Sequence, residues 1–339
     1  MKRLAPLALL ALALPASAEE AVTPTSIVAA APAADWIAID PADLMVMELA
    51  SDRDGNARRV VIQLMPAPFS QGWVGNIRKL AAAHWWDGTS VYRVQDNYVV
   101  QWGDVTEEKA LPDGLKVVPE SEYVQPFGSV ETTYRIEDEE PVSSEHYLRL
   151  KPGTDAERVV VTSIGTDVYA TGTLFLDGWP LGLEPHQQAE DISWPDLGLS
   201  VWPVHCYGMV GVARDLESTG TGSDLYVVIG HAPRQLDRNI ALVGRVIEGI
   251  EHLSSLPRGH GELGFYADDE ADKRVPILSV RIGAEVRDLP RFEYLSTDSG
   301  SFADYANSRA NRQDDFYKVP AGGADICNVP VPIRRVVAQ

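Results

Sequence analysis

Positive charge is scarce in this 339-residue chain: 29 Lys and Arg stand against 49 Asp and Glu, a formal net charge of −20. A surface so acidic repels phosphates, and no basic run offsets it locally, so nucleic-acid binding is excluded and anionic membrane surfaces are disfavoured. Long apolar runs are also missing. Beyond the N-terminus no segment reaches the roughly 18 uninterrupted apolar residues of a spanning helix, so no stable membrane insertion is expected. Cysteine is reduced to Cys206 and Cys327, which lack neighbouring histidines and make no zinc site. The histidines, at 84, 146, 186, 205, 231, 252 and 260, show no metal-ligand spacing. Asp268-Asp269-Glu270 lacks an EF-hand pattern, and Gly220-Thr221-Gly222 and Gly322-Gly323 lack the context of a phosphate loop. No metal or cofactor is called for, and no nucleophile–base constellation of a hydrolase stands out. What is present, 45% hydrophobic and 23% charged residues, is the composition of a globular protein.

The N-terminus runs from Lys2 and Arg3 through the apolar Leu4 to Leu14 into Pro15-Ala16-Ser17-Ala18. That pattern reads as a secretory signal peptide over residues 1–18, which makes the expected location exported and periplasmic. The Ala/Pro/Thr-rich residues 19–35 read as a flexible leader. In an oxidising compartment the two cysteines have two readings: a disulfide stapling the C-terminal segment to the core, or two separate buried thiols.

From residue 36 the texture is that of short strands. Leu44–Leu49 and Arg59–Leu64 flank the turn cluster Ser51-Asp52-Arg53-Asp54-Gly55-Asn56 and predict a hairpin. Trp73, Ile77, Leu80 and Ala81, behind Ser70 as N-cap, predict an amphipathic helix. Strand-like runs recur at 91–101, 145–150, 158–164, 168–176, 224–230, 240–246 and 275–282, with a short helix after Glu248 and a polar tail holding one candidate helix, 301–312. Many short strands with two clear helices argue for a mainly β barrel or sandwich. The acidic run Glu137-Asp138-Glu139-Glu140 reads as a solvated loop.

One run carries chemistry: Asp87-Gly88-Thr89-Ser90-Val91-Tyr92-Arg93-Val94-Gln95-Asp96-Asn97-Tyr98-Val99-Val100-Gln101-Trp102-Gly103-Asp104. It is a turn, a strand, a loop and a second strand. Alternation puts Val91, Arg93 and Gln95 on one face, where Arg93 needs acceptors, and Gln101 on the next strand is one. Without gaps, the run resembles the cyclophilin signature D-G-T-x-F-H-R-V-I-P-G-F-M-I-Q-G-G-D, found in peptidyl-prolyl cis–trans isomerases. Further segments resemble the family in the expected order: Val60–Leu64 with Pro66, Asn76-Ile77-Arg78-Lys79-Leu80, Gly208–Arg214, Ser223–Val228, Leu236-Asp237 and Val243–Gly249.

The resemblance implies a cyclophilin-like eight-stranded antiparallel barrel capped by two α-helices, with a substrate groove on its outer face. It would occupy residues 36–285, be interrupted by an insertion at 113–204 and be followed by a C-terminal extension at 286–339. It implies X–Pro isomerisation, assisting the folding of exported proline-containing polypeptides, with Arg93 catalytic and Gln101 orienting it. Tyr98, Val99, Tyr226 and Leu236 would line the prolyl pocket, and Ala213 would contact the substrate backbone. Several positions depart from the pattern. Phe-His becomes Val91-Tyr92, I-P-G becomes Gln95-Asp96-Asn97, and Gly-Gly becomes Trp102-Gly103, which puts a bulky ring at the groove floor or rim. Asp224 stands before the pocket aromatic as a salt-bridge partner able to draw Arg93 away, Gln235 replaces a Trp, and Ile240 falls near the groove His. These changes keep a second reading open: a barrel that binds peptides or a partner protein with weak or no catalysis.

Overall fold

The computed structural model describes residues 22–127, 129–137, 140–149, 157–160, 167–185, 198–312 and 316–336; the signal-peptide segment 1–18 and His186 lie outside them. Along the chain come α1 (Pro24–Ala30), β1 (Trp36–Ile39), β2 (Leu44–Leu49), β3 (Arg58–Leu64), α2 (Gln71–Ala82), β4 (Ser90–Val94) and β5 (Val99–Gly103). Residues 113–204 add β6 (Gln125–Phe127), β7 (Ser129–Glu137), β8 (Glu140–Arg149), β9 (Glu157–Val160), β10 (Gly172–Leu176), β11 (Trp179–Pro185) and β12 (Leu199–Pro203). Then follow β13 (Met209–Val212), β14 (Leu225–Val228), β15 (Leu242–Glu248), α3 (Glu251–Ser254), β16 (Val275–Ile282), β17 (Phe292–Leu295), α4 (Gly300–Ala310) and β18 (Ile333–Arg335).

Eight strands close an antiparallel barrel in the order β13-β14-β5-β4-β16-β2-β3-β15. Its interior follows strand alternation: Met45, Met47 and Leu49 of β2 and Val60, Ile62 and Leu64 of β3 face the core, which Trp73, Ile77 and Leu80 of α2 close. Leu44 and Val61 point outward, yet they too are buried, under Ile39, Phe292 and Tyr294 of the sheet β1-β17-β18. Two-sided burial explains why Leu44 to Met47 is a continuous apolar run rather than an alternating one.

The C-terminal residues are therefore more than a polar tail, since β17 and β18 cover the barrel and Phe302 of α4 enters the core. The leader reading is corrected as well. Residues 24–30 form a helix because Thr23 and Ser26 cap each other and Pro24 opens the first turn, and Ile27 and Val28 pack on the core. Ser70 sits at the head of α2 in a left-handed conformation (φ 53°) and makes no side-chain cap. Glu122 instead accepts from the Gly72 N–H at 3.2 Å. The second helix is a single turn, α3. Of the acidic run, Glu137 ends β7 and Glu140 opens β8, paired with each other, while residues 138 and 139 lie outside the described residues.

The segment 113–204 is fused to the barrel. Its sheet β10-β11-β12-β6 contributes Leu174, Phe175, Trp179, Leu181, Val201 and Trp202 to the same core. Phe175 meets Phe302 edge-on at 5.0 Å, and Tyr123 stacks on Trp73 at 5.3 Å. Arg245 of β15 fastens the β10–β11 turn. It donates to Gln63 Oε1 at 2.9 and 2.7 Å and to the Gly178 carbonyl at 2.6 Å, over the Trp179 ring at 4.3 Å. Burial pushes its pKa down to about 9.

Cys206, just after β12, and Cys327 form a disulfide across a sequence separation of 121 residues. A loop that long is worth up to about 5 kcal/mol by chain entropy. The double variant Cys206→Ala/Cys327→Ala is expected to lose about 2–5 kcal/mol in urea denaturation, and an unchanged midpoint would show that the staple adds nothing to stability.

Candidate functional site

On the barrel's outer face, register lines up four residues across adjacent strands. Arg93 of β4 pairs with Gln101 of β5, Gln101 with Tyr226 of β14, and Tyr226 with Gly211 of β13. A β-bulge between Val91 and Arg93 breaks the alternation expected for β4. Val91 and Val94 enter the core, while the Tyr92 hydroxyl and the Arg93 guanidinium reach the same outward network. Val91 therefore does not share Arg93's face, which corrects the sequence expectation.

Arg93 is held by three neutral acceptors. Nε donates to the Leu263 carbonyl at 2.8 Å, Nη1 to Gln101 Oε1 at 2.9 Å, and Nη2 to Gln95 Oε1. The Tyr98 and Phe265 rings flank the guanidinium at 5.9 and 5.1 Å. A guanidinium has five N–H donors, so one at each Nη is left over. Burial lowers the pKa of Arg93, but a guanidinium stays charged at neutral pH.

Asp224 does not capture Arg93. Its Oδ1 accepts from the Tyr92 hydroxyl at 2.8 Å and its Oδ2 from Ser223 at 3.0 Å. Gln101 Nε2 donates to the Tyr92 oxygen at 2.7 Å. A carboxylate can only accept, so it fixes every direction in this relay: Tyr92 gives its proton to Asp224, the Gln101 amide nitrogen faces Tyr92, and the amide oxygen is left for Arg93. Gly103 makes room, since a Cβ there would lie 2.0 Å from Asp224 Oδ1. Burial raises the pKa of Asp224, and burial followed by the charge of Asp224 raises that of Tyr92.

Beside Arg93, Val99, Tyr226 and Val228 form a separate apolar cluster with Tyr98, Ala213 and Ile240 packed against it. The structure thus brings together Arg93, Gln101, Tyr98, Val99, Ala213 and Tyr226. Leu236 is not in this cluster. It lies half-buried on the neighbouring turn, one turn before Ile240, and its carbonyl accepts from the Ile240 N–H at 3.2 Å. Trp102 is absent from the groove. It is fully buried in the barrel core, as alternation from the outward Gln101 requires. Gln235 is exposed.

Sequence reasoning missed Phe265 and Leu263. They sit on the segment Gly259–Tyr266, which is bonded along β4 through Gly259 N to the Val94 carbonyl (3.0 Å) and Tyr266 N to the Tyr92 carbonyl (3.1 Å). The signal was the spacing Gly259, Gly261 and Gly264 around exposed apolar side chains. Among the described residues no group of three or more His, Cys, Asp or Glu is arranged to hold a metal, and no helix is long and apolar enough to cross a membrane.

Tyr92→Phe leaves Asp224 Oδ1 without its Tyr92 donor and Gln101 Nε2 without an acceptor. It is expected to cost about 1–3 kcal/mol in chemical denaturation, and a neutral result would mean that the relay contributes nothing to the fold.

Comparisons with known proteins bear on this geometry. The family described as "Cyclophilin type peptidyl-prolyl cis-trans isomerase/CLD" matches residues 53–282. Among solved structures, the cyclophilin AquaCyp293 from Hirschia baltica is similar at 20% identity and TM-score 0.59, covering 90% of this chain and 94% of that one. A cyclophilin-type isomerase from Cryptosporidium parvum, crystallised in the presence of the dipeptide Ala-Pro, is similar at 12% identity and TM-score 0.33, covering 70% of this chain and 98% of that one. A search of curated proteins gave no match.

Proposed function

Because this chain belongs to the cyclophilin-type peptidyl-prolyl cis-trans isomerase family, we propose that it catalyses rotation about X–Pro bonds of polypeptides, with Arg93 as the catalytic group. The observation that carries this reading is a charged guanidinium, held by neutral acceptors with N–H donors to spare, beside the apolar cluster of Val99, Tyr226 and Val228. The barrier to rotation, about 18–20 kcal/mol, is amide resonance. A donor aimed at the prolyl nitrogen withdraws its lone pair from the carbonyl and lowers the C–N double-bond character. A second donor holds the carbonyl oxygen as the bond twists. The prolyl ring would rest against Val99, Tyr226 and Ile240 under Tyr98, with Ala213 along the substrate backbone. Gln101 would keep the guanidinium turned toward the bond. This reaction needs neither a nucleophile nor a cofactor.

The signal-peptide pattern at residues 1–18 and the Cys206–Cys327 disulfide support exported polypeptides as the substrates and the periplasm as the location. The barrel with its groove would be the catalytic unit, and residues 113–204 an elaboration upon it.

Two outcomes are expected. Exchange NMR on a proline tetrapeptide should show acceleration by wild type and a loss of about 100-fold in Arg93→Ala, the scale of removing one charge-stabilising donor. No acceleration by wild type, across several residues preceding proline, would overturn catalysis in favour of peptide binding alone. The rate should also be flat from about pH 6 to 9, because Arg93 does not titrate there and burial raises Tyr92, Tyr98 and Tyr226 further above the ordinary tyrosine range. A step in this window that persists in the Tyr226→Phe variant, which lacks the hydroxyl bonded to His205, would contradict this assignment.

A further inference from the structure

Behind the apolar cluster runs a buried polar chain that a phenylalanine at position 226 would not need. The Tyr226 hydroxyl meets His205 Nε2 at 2.9 Å, and His205 Nδ1 meets Asp237 Oδ1 at 2.8 Å. Asp237 Oδ1 also accepts from the His205 main-chain N–H at 2.9 Å, and its Oδ2 accepts from Arg234 Nε at 2.5 Å. Arg234 Nη1 then reaches Asp167 Oδ2 at 2.6 Å, and its guanidinium lies 5.5 Å over the Tyr169 ring. Asp167 Oδ1 accepts from the Tyr169 N–H at 2.7 Å. The side chains of His205, Asp237, Arg234 and Asp167 are 0, 2, 3 and 5% exposed.

The Asp237 carboxylate only accepts, so Nδ1 of His205 carries a proton, and in the neutral imidazole Nε2 accepts from the Tyr226 O–H. The ring is also steered from the other side. Tyr226 lies across Gly211, where a Cβ would come within 2.3 Å of its Cζ and hydroxyl oxygen. The Cys206 disulfide fixes the main chain next to His205. Burying two carboxylates and a guanidinium is costly, and it gives little net stability over apolar packing. What this arrangement does provide is one fixed orientation for the Tyr226 ring.

We propose that Asp167, Arg234, Asp237 and His205 are positioning residues that set the Tyr226 wall of the pocket, so that the insertion, through Asp167, is a working part of the peptide site. The role in turnover rests on the isomerase reading, whereas the effect on the ring does not.

The test is a double-variant cycle in the full chain with Asp167→Asn, which keeps shape and removes charge, and Tyr226→Phe, which keeps the ring and removes the coupling. By exchange kinetics on a proline tetrapeptide, Asp167→Asn should raise KM about five- to tenfold with kcat little changed, and should have no effect in the Tyr226→Phe background. An equal effect in both backgrounds, or none in either, overturns the proposal. A second readout is independent of turnover. With 13C-labelled tyrosine, the Tyr226 Cζ signal, which reports the hydrogen bond of the hydroxyl, should move in Asp167→Asn. An unmoved signal overturns the proposal even if KM moves. A moved signal in a protein that shows no isomerisation retires the isomerase reading and leaves the positioning chain standing.

Discussion

The site depends on how a half-buried guanidinium is held by neutral acceptors, with no carboxylate partner among the described residues. Arg93 is bonded to a main-chain carbonyl and to the two amide oxygens of Gln95 and Gln101. Neutral acceptors fix its direction but leave its charge unneutralised, so the field remains available to a bound peptide. Asp224 belongs to the same network, and Tyr92 stands between it and Gln101. Its hydroxyl occupies the carboxylate and passes the direction of the relay to Gln101, so an acid that would have quenched Arg93 as a direct partner orients it at second hand.

The same logic governs the larger architecture. Two sheets outside the barrel strands cover what the barrel leaves open. The sheet β1-β17-β18 buries the outer faces of β2 and β3. The sheet β10-β11-β12-β6 joins the barrel core and is fastened at Arg245, Asp167 bonds Arg234 of the polar chain behind Tyr226, and the Cys206–Cys327 disulfide ties the C-terminal segment to the residue after His205. The row Arg93–Gln101–Tyr226 on another face of the barrel is where we place the prolyl site.

Much of this was legible from residue order. The Asp87-Gly88-Thr89 run and the matching segments up to residue 282 point to the barrel, and they select Arg93, Gln101, Tyr98, Val99, Ala213 and Tyr226, which do lie together. The errors share one cause: they needed register or depth, which spacing alone does not carry. The inward burial of Trp102 follows from its alternation with Gln101, but a motif comparison reads it as a groove residue. The bulge at Val91 cannot be inferred from a list of side chains, and the meeting of Asp224 with Tyr92 requires knowing that β14 lies beside β5. The helix at residues 24–30 was hidden by a composition typical of linkers, although the Thr23–Ser26 cap was there to be read.

The central claim is that Arg93 and the Tyr226 cluster form one prolyl site. A crystal structure of this chain with a bound Ala-Pro dipeptide tests it most directly. The account predicts the prolyl ring against Val99, Tyr226 and Ile240, with an Arg93 Nη donor within about 3 Å of the dipeptide carbonyl or prolyl nitrogen and the Gln101 bond intact. A dipeptide seated elsewhere, or an Arg93 turned onto Asp224 when the peptide is bound, would contradict it.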